Sequence, residues 1–306
     1  MMGEAAYHIP VLLNESVSGL AIRPDGIYVD LTYGGGGHSR EIIRHLKTGK
    51  LIAFDQDPAV ISHLIQDRKF HFVQHNYRFL ANHLQYMNIA QVDGILADLG
   101  ISSEHIDNPE RGFSFRYDAE LDMRMSPDIP GSASVIVNQA PESELIRIFR
   151  EYGEVSQASR AARIIIETRK NQPITTTFGL ATCLRPLVPG NKENKLLAQV
   201  FQALRIAVNQ EIESLRIMLL QTAGLIREGG RLVVISYHSL EDRLVKNYIR
   251  AGNEEGTAQT DLYGRTSAPF RAVNRKVIVP DADEIGKNPR ARSARLRIAE
   301  RTEYQA

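Results

Sequence analysis

In the first third of the chain, short apolar runs alternate with stretches at helical spacing. Ile27 to Leu31 is one such run, and four glycines, Gly34 to Gly37, follow it. Ser39 to Leu46 then places Ile42, Ile43 and Leu46 on one helical face, and Leu51 to Phe54 is a second apolar run. The pattern predicts strand, glycine loop, helix and strand, a βαβ unit of about thirty residues. Val60, Ile61, Leu64 and Ile65 predict a helix after Asp57, and Phe70 to Val73 a third strand. Leu80 and Leu84 mark another helix, and Val92 to Leu96 a fourth strand that runs out at Asp98. Strand and helix in regular alternation imply a doubly wound parallel sheet of the α/β class. Ahead of it, residues 7–26 read as an N-terminal arm ending in a Pro-Asp-Gly turn.

The alternation then stops. Residues 106–189 carry helical patterns without a convincing strand: Glu144 to Tyr152, Ser159 to Thr168 and Phe178 to Leu184. This stretch reads as a helical insertion into a sheet domain made of residues 1–105 and 190–306. A long helix is predicted from Lys195 to Leu220, with Leu197, Phe201, Leu204, Val208, Ile212, Leu215 and Leu219 on one stripe. The sheet resumes at Arg231 to Tyr237. Ser239 and Asp242 have the spacing of a capping box for the helix that follows. Asn274 to Val279 and Arg295 to Ala299 alternate as a closing antiparallel pair would.

A chain of 306 residues can bury an ample core. Its net charge of +1 gives no global field for a polyanion, so any basic surface must be local. The single cysteine, Cys183, excludes an intramolecular disulfide framework and suits a reducing compartment. No basic-then-apolar leader and no membrane-length apolar run is present. A soluble, cytoplasmic protein with no membrane association is the expectation, and a homodimer is compatible with the sequence.

The glycine loop decides the chemistry. Glycines let the backbone turn tightly and approach a ligand that a Cβ would exclude. Asp55 lies roughly twenty residues beyond them, at the distance where a carboxylate grips ribose hydroxyls. Asp57 competes for that role, but Asp57-Pro58 has the form of an N-cap with proline in the first turn. No Lys-Ser or Lys-Thr follows the glycines, so the Walker pattern fails, and Ser39 stands where a dinucleotide loop needs its last glycine. What remains, D-x-x-x-G-x-G from Asp30 to Gly36, resembles the first motif of class I S-adenosylmethionine (SAM) methyltransferases.

Ligands of such sheets bind at the carboxyl ends of the strands, which singles out three further residues. Tyr77, past strand three, suits contact with an adenine or a place in the core. Asp98, past strand four, suits the reacting group or a loop cap. His238, past strand five, suits substrate contact or a satisfied core position. In the insertion, residues 110–125 mix cations with rings: Arg111, Phe113, Phe115, Arg116, Tyr117 and Arg124. Such a loop can hold an unstacked base, or it can be packed by its own phenylalanines and tied by Asp122 and Arg124. The C-terminal run 287–301, with Arg290, Arg292 and Arg295, is either a phosphate track or a solvated basic face.

Taken in order, HIPVLLNESVSGL, TYGGGGHS, DGILADLGISS, RGFSFRYDAELDMRM, FQALRIAVNQE, GGRLVVISYHSLEDRLVK and NPRARSARLRIAER resemble the successive signatures of one family. That family is the bacterial ribosomal small-subunit RNA methyltransferase H family, and the likeness covers nearly the whole chain. The resemblance implies a SAM-dependent enzyme that methylates the exocyclic N4 of a cytidine in the decoding region of 16S RNA, as naked RNA or in the small subunit. It implies cofactor contacts at Gly36, Gly37, His38, Asp55, Tyr77, Asp98 and His105, with Gly35 beside them in the loop. Asp98 is the candidate acceptor for the amine. Arg111, Phe113, Phe115, Arg124, His238, Arg290, Arg292 and Arg295 are the candidate RNA contacts, and no metal is expected.

Overall fold

The computed structural model describes residues 10–187, 193–257, 259–260 and 266–303. Residues 7–9 of the predicted arm and 188–189 of the predicted insertion lie outside the described residues. The chain divides into two compact units, residues 1–100 with 212–306, and residues 101–211.

The first unit is built on a seven-stranded sheet. Its strands are β1 (Ile27–Asp30), β2 (Lys50–Asp55), β3 (Phe70–Gln74), β4 (Val92–Asp98), β5 (Ile226–Ser236), β6 (Phe270–Ala272) and β7 (Arg295–Arg301). They lie in the order β3-β2-β1-β4-β5-β7-β6. β1 to β5 pair in parallel, whereas β7 runs antiparallel to β5 and to β6. β4 is the central strand, and Val92 to Ala97 are buried along its whole length. Both of its faces are covered, which explains why it reads as a continuous apolar run. One core holds Val29, Leu31, Ile52, Phe54, Ile95 and Leu232 with Leu215 and Leu219; another holds Tyr28, Ile42, Leu51, Leu96 and Ile235.

Helices α1 (Leu13–Gly19), α2 (Gly37–His45), α3 (Leu80–Tyr86), α10 (Glu211–Leu225), α11 (Ser239–Ala251) and α12 (Ala282–Lys287) accompany the sheet. The arm therefore contains a helix that its sequence pattern did not disclose. α2 buries Ile42 and Ile43. The helix predicted after Asp57 is a 3-10 turn, Pro58–His63, capped by Asp57, whose side chain accepts from the Ala59 N–H at 3.0 Å. The predicted closing pair is also corrected. β7 forms, but its strand partner is β6, and in 274–279 only Ile278 makes a single bridge, to Leu296. Outside the main sheet, Gln259–Thr260 pairs with Thr266–Ser267.

The second unit is helical: α4 (Ser103–Asp107), α5 (Ala133–Gln139), α6 (Glu142–Glu151), α7 (Ala158–Asn171), α8 (Thr177–Leu184) and α9 (Glu193–Asn209). Its core gathers Leu145, Ile148, Phe149, Ala161, Ile165, Leu180, Leu197, Phe201 and Leu204. The unit thus runs from Ile101 to Glu211, beyond the predicted 106–189. The cause lies in the long helix predicted from Lys195 to Leu220, which is two helices. Gln210, between α9 and α10, takes a left-handed φ of 50°, a conformation that ends a helix of L-residues. The apolar stripe continues across that break, but α9 contributes to the helical core and α10 to the core of the sheet unit.

Candidate active site

The carboxyl ends of β1, β2 and β4 bring three acids to one end of the sheet. Asp30 closes β1 and is almost fully buried. Its oxygens accept from the Ser39 hydroxyl at 2.6 Å and the Thr32 N–H at 3.1 Å. Burial pushes this carboxyl above the ordinary range, against the opposing pull of His38 and the two hydrogen bonds, while the charge of Asp98 adds to the rise. The Thr32 hydroxyl in turn accepts from the Asp98 N–H at 2.7 Å, tying the exit of β1 to that of β4.

Asp55 closes β2. One oxygen accepts from the Gly34 N–H at 2.8 Å and the other from the Asp57 N–H at 2.9 Å. A carboxylate offers about four acceptor sites, and one oriented by its backbone neighbours is what a diol-binding acid requires. Asp57 is buried, and its side chain makes the cap described above. In the loop, Gly36 has φ +73° and a Cβ there would meet the Tyr33 ring at 2.7 Å. At Gly37 a Cβ would meet Pro10 at 2.1 Å. Both glycines are therefore required by the protein's own packing. The Gly35 carbonyl accepts from Arg40 at 2.5 Å. His38 is buried in the first turn of α2, and its Nε2 lies 3.1 Å from the Val11 carbonyl. The arm thus engages the ring expected to face cofactor. Tyr77 opens a 3-10 turn capped by Asn76 and packs, half-buried, on the core of the sheet unit.

Asp98 has a partner that the sequence did not disclose, the phenol of Tyr237, which hydrogen-bonds to its side chain. Burial raises the Tyr237 pKa well above its usual value, and the charge of Asp98 raises it further. The ring lies so close to Gly100 that a Cβ there would meet it at 2.7 Å. Tyr237 follows β5 directly. The signal was an aromatic after a strand end in SYHS, overshadowed by its neighbour His238. His238 itself is structural. It is the N-cap of α11, its Nδ1 3.4 Å from the Glu241 N–H, and Glu241 accepts from the Tyr237 N–H at 2.9 Å. The cap thus sits one residue before the predicted Ser239, and Asp242 is released for another task.

That task removes Arg295 from the simple phosphate track. Asp242 binds Arg297 through both oxygens, at 2.7 and 3.1 Å, and Arg295 at 3.1 Å. Burial raises the Asp242 pKa, but the two guanidinium groups outweigh it and hold the carboxyl below its usual range. Arg290 and Arg292 lie exposed on the 3-10 turn Pro289–Ser293.

In the helical unit, the ring-rich loop is packed on itself. The buried His105 ring stacks on Phe113 with centroids 4.9 Å apart, and the Arg111 guanidinium lies 5.8 Å from the Phe113 ring centre. Phe115 meets Phe201 edge-on, Arg124 forms a two-pronged pair with Asp122, and Arg111 donates to the Arg124 carbonyl. The packed reading of this loop accounts for Phe113, Phe115 and Arg124, and its exposed positions are Glu110, Arg116 to Asp118 and Glu120.

Sheet order, the antiparallel β7, the glycine loop after β1 and the acid after β2 define a class I SAM-dependent methyltransferase fold. The sequence profile of the MraW methylase family matches residues 5–302, and the chain belongs to that family. It is 53% identical over 299 residues to the "Ribosomal RNA small subunit methyltransferase H" of Bacteroides thetaiotaomicron, covering 97% of this chain and 98% of that one. It is 52% identical over 297 residues to the protein of the same name from Cytophaga hutchinsonii, covering 96% and 99%. The relative from Christiangramia forsetii is 51% identical over 300 residues, covering 98% and 99%.

Proposed function

We propose that this chain transfers the methyl group of SAM to the exocyclic N4 of a cytidine in the decoding region of 16S rRNA. Family membership supports methyl transfer to ribosomal RNA; the choice of N4 and of the decoding region rests on the motif resemblance. The observation that carries the cofactor is the acidic donor set. Asp55 and Asp98 at the mouth of the sheet suit a ligand with a ribose diol and a cationic end, while buried Asp30 braces the loop through Ser39 and Thr32. A pyrophosphate would meet repulsion there, which disfavours a dinucleotide.

SAM supplies an activated sulfonium methyl, so the protein's work is alignment and handling of the amine proton. Asp55, held by Gly34 and Asp57, receives the ribose hydroxyls. Asp98, held at its N–H by Thr32 and at its side chain by Tyr237, is the acceptor aimed at the N4 amine. The lone pair of that amine is delocalised into the ring, and a carboxylate on its N–H favours the pyramidal geometry that attack requires. The raised pKa of Tyr237 keeps the phenol neutral, so it remains a donor that orients Asp98.

Incubation of the protein with methyl-labelled SAM and either naked 16S rRNA or 30S particles, followed by nucleoside analysis, tests this reading. Label in N4-methylcytidine is the expected result. Label in another nucleoside overturns the assignment to N4, and absence of label in both RNA samples overturns the proposed reaction.

A further inference from the structure

The edge of the sheet unit next to β3 has a surface that the proposed reaction leaves unused. Between Asp67 and Asp93 the chain has no acidic residue, yet it carries Arg68, Lys69, Arg78, three histidines and five aromatic side chains. Some of these build the core, but a group of rings faces outward. His75 packs edge-on against Phe79 at 4.5 Å and against His83 at 5.2 Å, and His83 rests on buried Phe54 at 5.6 Å. Phe79 closes the 3-10 turn that leads into α3, and His83 and Tyr86 lie three residues apart within α3, on one face. Phe79 is 40% exposed and Tyr86 85% exposed. The platform is held firmly: Gln221 of α10 accepts from the Ala81 N–H at 2.8 Å and donates to the Arg78 carbonyl at 2.7 Å. Burial and then the neighbouring His75 lower the pKa of His83, so near neutrality it is an uncharged ring.

Rings that include the exposed Phe79 and Tyr86, in a segment that carries cations and no acid of its own, match a partner that offers flat faces on a negative backbone. We propose that the His75–Phe79–His83–Tyr86 face binds a single-stranded segment of the RNA substrate by base stacking. The proposal rests on the reading of RNA as substrate and adds a docking surface outside the helical unit. Stacking of this kind tolerates any base, so the surface contributes affinity and leaves the choice of target nucleotide to the site.

Binding of a fluorescein-labelled oligouridylate, followed by anisotropy over a range of salt concentrations, tests it. Tyr86→Ala should weaken binding about tenfold with an unchanged salt dependence, because a lost stacking contact releases no counterion. Tyr86→Trp should restore affinity, and Phe79→Ala should weaken binding as Tyr86→Ala does. Tyr86 is so exposed that its loss removes little packing, which keeps the test independent of folding. Alanine variants that bind like the wild type overturn the platform. So does a change in sedimentation of the protein alone with RNA affinity unaltered, which would assign the face to a second copy of the chain. Methyl incorporation into 16S rRNA separates this failure from that of the proposed function. Full incorporation with unaltered oligouridylate binding by the variants removes only the platform. Loss of binding in the variants of a wild type that incorporates no methyl keeps the platform and removes the reaction.

Discussion

Each oxygen of Asp55 accepts a backbone N–H, from Gly34 and from Asp57, so the carboxylate is fixed before any ligand arrives. A hydrogen bond to a charged group contributes roughly 1.5 to 3 kcal/mol. Asp55→Ala should therefore weaken SAM binding about ten- to a hundredfold, read by calorimetry; unchanged affinity would move the ribose role elsewhere. Asp98 calls for a different experiment, because binding and chemistry meet there. Asp98→Asn keeps the size and loses the charge. If Asp98 accepts from the amine in the transition state, single-turnover rate at saturating SAM and RNA falls far more than SAM affinity does. A near-normal rate under those conditions would shift the acceptor to the backbone of Leu99 and Gly100. At this scale the position of the acids at strand ends was legible, since the apolar runs that precede them mark the strands. Tyr237 was not, because its meaning comes from Gly100 and Asp98, which are far from it in sequence.

Local elements carry their own consequences, and Asp242 joins two of them, α11 and β7. It is 6% exposed and holds both Arg297 and Arg295. Arg297 is mostly covered but Arg295 is half exposed and screened by solvent, so losing the carboxylate's charge should cost about 1 to 3 kcal/mol. Asp242→Asn should lower the denaturation midpoint by a corresponding amount. The folded-state pKa of Asp242 is lower than its unfolded value. Its contribution is therefore present above the ordinary carboxylate range and is lost as pH falls through the folded pKa. Denaturation at pH 7 and at pH 3 should show the difference between wild type and variant shrinking in acid. A gap that stays constant would mean that the carboxylate's charge is not what matters. A row of arginines looks alike in sequence, and the fold shows that Arg295 and Arg297 share one carboxylate. The ring-rich loop is a second case. Its composition suits a stacked base, yet Phe113, Phe115 and Arg124 face His105, Phe201 and Asp122.

For the whole molecule, periodicity disclosed both architectures and misplaced the border between them. The stripe from Leu197 to Leu219 is continuous because α9 buries Leu197, Phe201 and Leu204 and α10 buries Leu215 and Leu219 at helical spacing. Nothing in the spacing marks Gln210 as the place where the chain leaves one core for another. Composition provides no global field for RNA, since the net charge is only +1. Binding to a polyanion must then come from local cations, and counterion release counts them. Among the C-terminal arginines, Arg290 and Arg292 are exposed on a short turn, whereas Arg295 is tied to Asp242. If this turn tracks phosphates, changing Arg290 and Arg292 together to Gln should reduce the slope of log affinity against log salt by about 1.5. SAM affinity should not move. Arg295→Gln should do the reverse, lowering stability through the loss of its bond to Asp242 and changing the salt slope little. Filter binding of 16S rRNA across a salt series, with thermal denaturation of the same preparations, measures both quantities. A slope that stays at the wild-type value in the double variant would make the turn an ordinary solvated surface. A slope reduced as much by Arg295→Gln as by the double variant would mean that Asp242 yields its partner when RNA arrives.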